Sequence, residues 1–490
     1  MKKKEDLPMK KFKTLRRLAA AAAVLALLAG CAGNPSGENT DTPNNPPAEN
    51  TSSASSSGNN GQVKVITVWT KDRADSEYMT AAVDEYNKTN THGYQVEYQI
   101  YSDNYPSAIN LAFQNGEAPD IMVYQNDMFQ SWVNAGKYAD LTPFMDDEFL
   151  ATFGENIYEG INQIDGKVYY VPTACTVTRL FYNTEIFERC GIKNPPTTLA
   201  EMVEDAKLIT SQLSSEGIYG FAANMKSPSS ALSRSFDMMA QMSCGIHKGY
   251  DFAAGRYDFT KLADLVEVWQ ELMSPACAFP GCESLDIDPL RTQFADGKIG
   301  MYISFTHAEP GVYANQFPMD SSKWAVAEIP TLTGTQVGAE TFQAMNGYCL
   351  NAEGKNLEDA WTVYRELFAD VDLLAGYYSA GLGISLVPAA IEKATPAECY
   401  TANPDLLILD TDAIWPKTPQ ESNVDAVVVE GEDMYNVFAG LIWNEASEAE
   451  IANALQDLTD RYNAALDQGI SEGIGKEIKN ASFDPMNPVA

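Results

Sequence analysis

The sequence predicts an α/β protein with two lobes. Strand-like and helix-like segments alternate after residue 62, which is the pattern of a parallel sheet with right-handed crossovers. The chain has 490 residues, more than one ordinary domain of about 50–200 residues contains. A turn at Asp165-Gly166 and a short β-prone run end at Pro172, which forbids an interior strand from continuing. We therefore expect the chain to leave one lobe there and enter another.

The N-terminus predicts an export signal. A basic start is followed by an apolar run from Leu18 to Ala29, shorter than the roughly 20 residues that span a bilayer. The segment Leu28 to Cys31 resembles the lipobox of bacterial lipoproteins, in which cleavage before the cysteine frees it for acylation. We expect residues 1–30 to be a lipoprotein signal peptide and Cys31 to be lipidated, anchoring the protein outside the cytoplasm to the bacterial cell membrane. An ordinary secretory peptide is the alternative.

The next segment, residues 31–62, contains mainly Ser, Asn, Thr, Pro and Gly, and it predicts a disordered tether. The whole chain has 67 acidic and 33 basic residues and a net charge of −34. Such a charge repels nucleic acid and anionic membrane, so we expect neither as a partner, with membrane contact only through the N-terminal lipid.

The first lobe is predicted element by element from its hydrophobic periodicity. Two helices and three strands follow one another, and a glycine, Gly116, closes the second helix. The segments are a buried strand at 63–69, a helix around 79–86, an alternating strand at 94–100, a helix at 105–115 and a strand at 120–124.

Each of these strands ends in an aromatic residue followed within a few positions by a carboxylate. Ligands of open parallel sheets bind beyond the carboxyl ends of the strands. Aromatic rings stack on the apolar faces of sugars, and carboxylates and amides accept hydrogen bonds from sugar hydroxyls. We therefore predict a carbohydrate site formed by Trp69, Asp72, Tyr101, Asp103, Tyr124, Asn126 and Asp127.

The central region predicts the start of the second lobe. A β-prone run at Leu180 to Tyr182 precedes the stop signal Pro195-Pro196. Thr198 and Glu201 then have the spacing of a capping box, and the apolar residues after them recur on one helical face. We predict a helix that begins after Thr198.

Three segments of this region resemble one family. DGKVYYVP at 165–172, LFYNTEIFERCGI at 180–192 and PPTTLAEMVEDAKLI at 195–209 are similar, in order and spacing, to the central signature of extracellular solute-binding proteins of ABC importers, carbohydrate-type family 1. The resemblance implies a periplasmic-binding-protein type II-like fold, two α/β lobes with three hinge crossovers. Lobe I would comprise residues 63–172 and 326–388, and lobe II residues 173–325 and 389–490. The second crossover would be Trp324 to Pro330, and the third Gly381 to Pro388.

The resemblance also implies ligand contacts. In maltodextrin-binding relatives an aromatic residue stands at the position of Tyr124 and an acid at that of Asp127. A basic contact of those relatives is replaced by Met128, which argues against maltodextrin. The other residues expected at the cleft, at or near the crossovers and in a loop of lobe II, are Thr173, Thr176, Ser304, His307, Asn346 and Trp415.

The sequence lacks the motifs of an enzyme. It has three histidines, no HExxH, no GxSxG and no complete phosphate or dinucleotide loop. We expect no catalysis, cofactor or metal, and instead a monomer that passes a carbohydrate to ABC permease subunits. Two alternatives stay open, a binding protein for a cation such as a polyamine and a surface-anchored glycan-processing enzyme.

Seven cysteines follow Cys31 without metal-binding spacing. Most are expected to be small buried residues. Cys277 and Cys282 are close enough in sequence to suggest a local disulfide.

Overall fold

A computed structural model of the protein describes residues 63–101, 104–126 and 128–489. The expectations for Cys31, Asp103 and Asp127 therefore lie outside the described residues. Within the described ranges, no helix is both long and apolar enough to cross a bilayer. Helices and sheets are mixed throughout, which confirms the predicted α/β class.

The first part of the chain contains the alternating elements that the sequence predicts. Its elements are β1 (Lys64–Thr70), α1 (Ser76–Thr89), β2 (Tyr94–Ile100), α2 (Tyr105–Asn115), β3 (Ile121–Val123), α3 (Phe129–Asn134), α4 (Asp147–Phe153), β4 (Gln163–Ile164) and β5 (Lys167–Val168). β1 pairs in parallel with β2 and β3, and Gly116 ends α2 with a φ of 70°. The predicted β-α-β-α-β run is confirmed.

The middle of the chain forms a second group of elements. They are β6 (Ala174–Thr176), β7 (Thr178–Asn183), α5 (Thr184–Cys190), α6 (Leu199–Leu213), β8 (Tyr219–Phe221), α7 (Pro228–Arg234), α8 (Phe236–Cys244), β9 (Tyr250–Asp251), β10 (Arg256–Tyr257), α9 (Ala263–Leu272), α10 (Ile287–Ala295), β11 (Ile299–Phe305), α11 (Glu309–Gly311) and β12 (Trp324–Ala327). A sheet in the order β12-β7-β11-β8 runs through them. The capping box at α6 is confirmed, because the Glu201 N–H donates to Thr198 Oγ1 and the Thr198 N–H to Glu201 Oε2, both at 3.1 Å.

The last part of the chain contributes to both earlier groups. Its elements are β13 (Glu340–Thr341), β14 (Gln343–Met345), β15 (Tyr348–Leu350), α12 (Leu357–Val363), α13 (Val371–Ser379), β16 (Ile384–Ser385), α14 (Pro388–Lys393), α15 (Glu398–Ala402), β17 (Asp412–Ala413), α16 (Pro419–Ser422), α17 (Met434–Trp443) and α18 (Glu448–Ser471). β15 pairs antiparallel with β3 and completes the first sheet as β15-β3-β1-β2. β13 and β17 pair in parallel.

Two large hydrophobic cores organise these elements. Core I extends from Ile66 to Ala174 and from Tyr348 to Ala390, and includes both sides of the first sheet. Core II includes residues from Leu180 to Ile329 and from Tyr378 to Leu466. Burial of separate apolar faces in this way forms two lobes, because each sheet collects its own helices.

A small sheet lies where the chain passes between the cores. It contains β14, β6 and β16, all antiparallel, and we call it the linker sheet. Cys175, Val177 and Ile384 form a small apolar cluster of their own beneath it. The linker sheet therefore has a small apolar cluster of its own, while Ala174 and Met345 pack against core I.

The predicted second crossover at Trp324 to Pro330 is wrong. Trp324–Ala327 is β12, which pairs antiparallel with β7 in the core II sheet. The chain returns to core I only through Gln343–Met345, in the linker sheet. A β-prone run shows that a strand forms but not which sheet receives it.

The suggested disulfide between Cys277 and Cys282 is also wrong. Both thiols are free and buried. The Cys277 Sγ–H donates to the Val203 carbonyl at 3.9 Å, and burial raises the pKa of both thiols. These cysteines behave as small core residues.

Candidate functional site

A cavity of about 540 Å³ is lined by residues from both cores and from the linker sheet. This is within the size range of about 300–1,000 Å³ typical of small-molecule sites. We call it the cleft cavity. Its lining combines aromatic and polar side chains, and includes Lys71, Asp72, Tyr124, Asn126, Tyr170, Thr176, His247, Lys248, Phe305, His307, Asn346, Trp415, Lys417 and Glu421.

Tyr124 supplies an aromatic surface to this cavity directly after β3. Its ring stacks on Tyr170 with centroids 4.3 Å apart, and its hydroxyl donates to the Ala344 carbonyl at 3.2 Å. A side chain at Gly347 would come within 2.5 Å of the Tyr170 ring and 2.9 Å of the Tyr124 ring. Glycine there lets the backbone approach the ring pair, which fixes the orientation of Tyr124.

Trp415 lines the cavity from the side of core II. Its indole N–H donates to the Ala339 carbonyl at 2.8 Å, and the ring is almost fully buried among Phe252 and Phe483. His247 lies beside it, with ring centroids 5.9 Å apart. Trp415 is therefore a rigid wall with its polar atom already satisfied.

His307 lies at the cavity after β11. Its backbone N–H donates to Thr176 Oγ1 at 3.2 Å, while its side-chain Nδ1 is buried with no hydrogen-bond partner among the described residues. Burial, with Arg291 and Arg234 nearby, lowers the pKa of His307 to about 4. The imidazole is thus neutral at pH 7 and can exchange hydrogen bonds with a ligand.

Asn346 enters the cavity from the end of the linker sheet. It has a φ of 55°, a left-handed conformation that is uncommon outside glycine. Its side-chain Oδ1 is buried and accepts no hydrogen bond from the described residues. A strained residue with an unsatisfied oxygen at a cavity indicates a binding role.

The loop after β1 contributes charge. Asp72 is half-buried and Lys71 is exposed, and both line the cavity. Burial raises the pKa of Asp72, and the ammonium of Lys71 partly opposes that rise. Asn126, which follows Tyr124, is exposed and also lines the cavity.

Two predicted aromatics do not reach the cleft cavity. Trp69 and Tyr101 are half-buried against core I and contact each other, with ring centroids 4.3 Å apart. In β1 the side chains of Ile66, Val68 and Thr70 are buried on one face, and Trp69 points to the other. The shared strand-end pattern therefore leads to the sheet edge that borders the cavity, but it does not give the side-chain directions.

Two predicted polar residues also lie elsewhere. Ser304 is fully buried, and its Oγ donates to Glu309 Oε1 at 2.5 Å within core II. Thr173 is buried beside a separate, very narrow cavity that Asn346 and Tyr377 also line. Both positions are adjacent to the site in sequence, but their side chains point into the protein.

The structure adds an ionic group that the sequence did not reveal. Glu421 accepts from His247 Nε2 at 3.0 Å and from Lys248 Nζ at 2.6 Å. Burial opposes ionisation of Glu421, yet Lys248 and His247 hold its pKa well below the usual range. Glu421 lies more than 170 residues after the neighbouring His247 and Lys248, so only the tertiary structure brings this group together.

Lys417 was also missed, although it follows Trp415 by only two positions. Its Nζ is buried and has no hydrogen-bond partner in the described part of the chain. The ammonium lies 4.4 Å from the centroid of the Phe129 ring, a cation–π contact. Burial lowers the pKa of Lys417 to about 8, and Lys248 contributes to that lowering while Glu421 opposes it.

Residues 70–370 match the model of a family described as bacterial extracellular solute-binding protein. A Brucella abortus (strain 2308) sequence named as a binding protein is 27% identical over 255 residues, 52% of this chain and 59% of its own length. The chain thus spans about three fifths of the length of this curated relative. The multiple sugar-binding protein of Streptococcus mutans is 30% identical over 97 residues, 19% of this chain and 22% of its own length.

Solved structures share the fold at low sequence identity. One, from work on xylan utilization by Caldanaerobius polysaccharolyticus, has a TM-score of 0.65 and 17% identity, over 81% of this chain and 100% of that chain. The sugar-binding protein MalE of Xanthomonas citri has a TM-score of 0.63 and 15% identity, over 84% of this chain and 99% of that chain. RafE in complex with raffinose has a TM-score of 0.62 and 15% identity, over 82% of this chain and 99% of that chain. These likenesses support the two-lobed fold.

Proposed function

Because the chain belongs to the family of bacterial extracellular solute-binding proteins, we propose that it captures a carbohydrate, preferably an oligosaccharide, in the cleft cavity. It then delivers the sugar to the permease subunits of an ABC transporter. Family membership implies a location outside the cytoplasm. The relatives found are named as binding proteins, and the function proposed here requires no chemistry.

The observation that supports a sugar is the composition of the cleft cavity. Tyr124 and Trp415 present rigid aromatic surfaces, and His307 and Asn346 offer buried polar atoms that lack partners among the described residues. Aromatic faces with a few convergent polar groups suit the apolar faces and hydroxyl rim of a pyranose. The names of the relatives that bind multiple sugars and raffinose agree with this ligand class.

The two lobes would close over the ligand by bending at the linker sheet. Hinge closure of this kind is known in periplasmic binding proteins. Because the chain re-enters core I through Gln343–Met345, we place the second boundary between the lobes at this strand and not at residue 326. Lobe I then comprises residues 63–172 and 346–388. The other boundaries stay as the sequence predicts them.

Membrane attachment through acylated Cys31 is the remaining part of the proposal. It rests on the lipobox-like segment at residues 28–31 and on the tether that follows. Labelling of the expressed protein with a radioactive fatty acid tests it, and Cys31→Ser should abolish incorporation. Equal labelling of the variant would remove this anchor from the proposal.

A melting-temperature screen against mono- and oligosaccharides tests the ligand class. A ligand at a hundredfold excess over its Kd stabilises the folded protein by about 2.7 kcal/mol, which shifts the transition measurably. We expect at least one neutral or acidic sugar to do so. A melting-temperature shift with spermidine tests the alternative of a cationic ligand. Measurement of reducing ends released from polysaccharides tests the alternative of a glycan-processing enzyme. A shift with spermidine and with no sugar would overturn the proposal.

A further inference from the structure

The charges around the cleft cavity differ from those of the protein as a whole. The chain carries a net charge of −34, yet cationic groups are concentrated around the cavity. Lys71 and Lys417 line it, and no ion pair between either and a described carboxylate is found. Nearby, the guanidinium of Arg234 lies 5.1 Å from the centroid of the Phe305 ring, which also lines the cavity.

The carboxylates of the cavity do not cancel this excess. Glu421 is already bonded to Lys248 and His247. Asp72 also lines the cavity, so the described lining carries three lysines, Lys71, Lys248 and Lys417, against the two carboxylates of Asp72 and Glu421. An anion in the cavity would therefore meet more positive than negative charge among the described groups.

Lys417 is placed to bind an anion in the cleft cavity. It lines the cleft cavity and, like Pro416, also lines a second cavity of about 640 Å³. Its ammonium is removed from water, and the ring of Phe129 replaces only part of the lost hydration. A carboxylate would supply charge-assisted hydrogen bonds to an ammonium that has three donors.

We propose that the cleft selects carbohydrates that carry a carboxylate group, such as uronic acids and their oligosaccharides, and that Lys417 receives the carboxylate. This inference rests on the proposed function and narrows its substrate class. The aromatic surfaces of Tyr124 and Trp415 hold the sugar ring, while the cation decides between the acidic and the neutral sugar. Polyamines are disfavoured, because they would bring a second positive charge to Lys417.

Matched sugars that differ only at C6 test this inference. The pairs are glucose and glucuronate, galactose and galacturonate, cellobiose and cellobiouronate, and galactobiose and digalacturonate. Isothermal titration should give at least one pair in which the acid binds tenfold or more tightly than the neutral sugar. Added salt should weaken the acid more than the neutral sugar, because the discriminating contact is ionic.

Variants of Lys417 identify the cation responsible. Lys417→Gln should reduce the preference for the acid to about twofold or less, whereas Lys417→Arg should keep most of it. Lys207→Gln, at an exposed lysine that pairs with Glu271 on the outside of core II, is the matched control and should change nothing. Melting temperatures of all variants establish that each is folded.

The outcomes separate the two proposals. If neutral sugars bind as tightly as their acids, or if Lys417→Gln keeps the full preference, the carboxylate inference is overturned and carbohydrate binding stands. If no sugar of the pairs or of the wider screen binds, the proposed function fails as well. If the unaltered protein shows no preference for the acid and Asp127→Asn creates one, Asp127 and not a ligand neutralises Lys417, and the inference is overturned.

Discussion

The buried cationic groups of Arg179 and Lys417 differ in whether they have hydrogen-bond partners. Arg179 is fully buried and donates from Nη1 to Glu340 Oε2 at 2.9 Å and from Nη2 to Asp412 Oδ2 at 2.6 Å. It also donates to the backbone carbonyls of Asp405 and Leu407. Lys417, shortly after Asp412 in sequence, has a buried ammonium without a described hydrogen-bond partner.

This difference indicates that the charge of Arg179 stabilises the fold, whereas the charge of Lys417 is available to a ligand. The Arg179 cluster joins β7 to the β13 and β17 pair, and its donors are matched by acceptors. A buried charge that is matched can be tolerated by the fold, whereas an unmatched one costs stability. Residues kept in an unfavourable state are typical of sites where binding supplies the missing partner. Mutations should therefore affect stability at Arg179 and ligand binding at the cleft.

The largest effect is expected from Arg179→Met. The change leaves the carboxylates of Glu340 and Asp412 buried without their cation, which should lower the free energy of unfolding by about 3–5 kcal/mol. Urea unfolding measures the loss. Arg189→Met, which breaks the exposed pair with Glu216, is the control and should cost less than about 1 kcal/mol. Similar losses in both variants would show that the buried cluster has no special structural role.

We expect Lys417→Met to raise the free energy of unfolding of the unliganded protein. The folded pKa of about 8 lies below the ordinary value of 10.5, so folding penalises the protonated lysine. That penalty is complete below pH 8, declines as the pH rises toward 10.5, and amounts to at most about 3 kcal/mol. Methionine can still pack on the Phe129 ring.

The measurement is urea unfolding of both proteins at pH 7 and at pH 9.5. The methionine variant should be the more stable at pH 7, and its advantage should shrink at pH 9.5. Groups that act on Lys417, namely Glu421, Lys248 and Cys349, are present in both proteins. Lower stability of Lys417→Met at pH 7 would mean that the ammonium is compensated in the folded state.

The fold could be predicted well where the signal is local. The strand at 94–100 and the helix at 105–115 are found with those bounds, because alternation and a closing glycine determine them. The capping box at Thr198 likewise depends on four consecutive residues. The second crossover could not be located, because pairing of β12 with β7 depends on a strand far away in sequence.

The candidate site was predicted only in part for the same reason. Tyr124 lies at the cavity as the strand-end argument expects, and Asn346, His307 and Trp415 also line it. Trp69 does not, because its side chain points to the other face of β1. The stacking of Tyr170 on Tyr124 and the approach of Lys417 to Phe129 join segments from different parts of the chain. No pattern within either segment predicts such contacts.

Tyr124→Ala tests most directly whether the cleft cavity is the binding site. Calorimetric titration with the tightest sugar of the screen should show at least a tenfold loss of affinity, about 1.4 kcal/mol, because the stacking surface is removed. Trp69→Ala, at the same sheet edge but outside the cavity, should bind as the unaltered protein does. Folded Tyr124→Ala with unchanged affinity would contradict the assignment of the cleft cavity as the site.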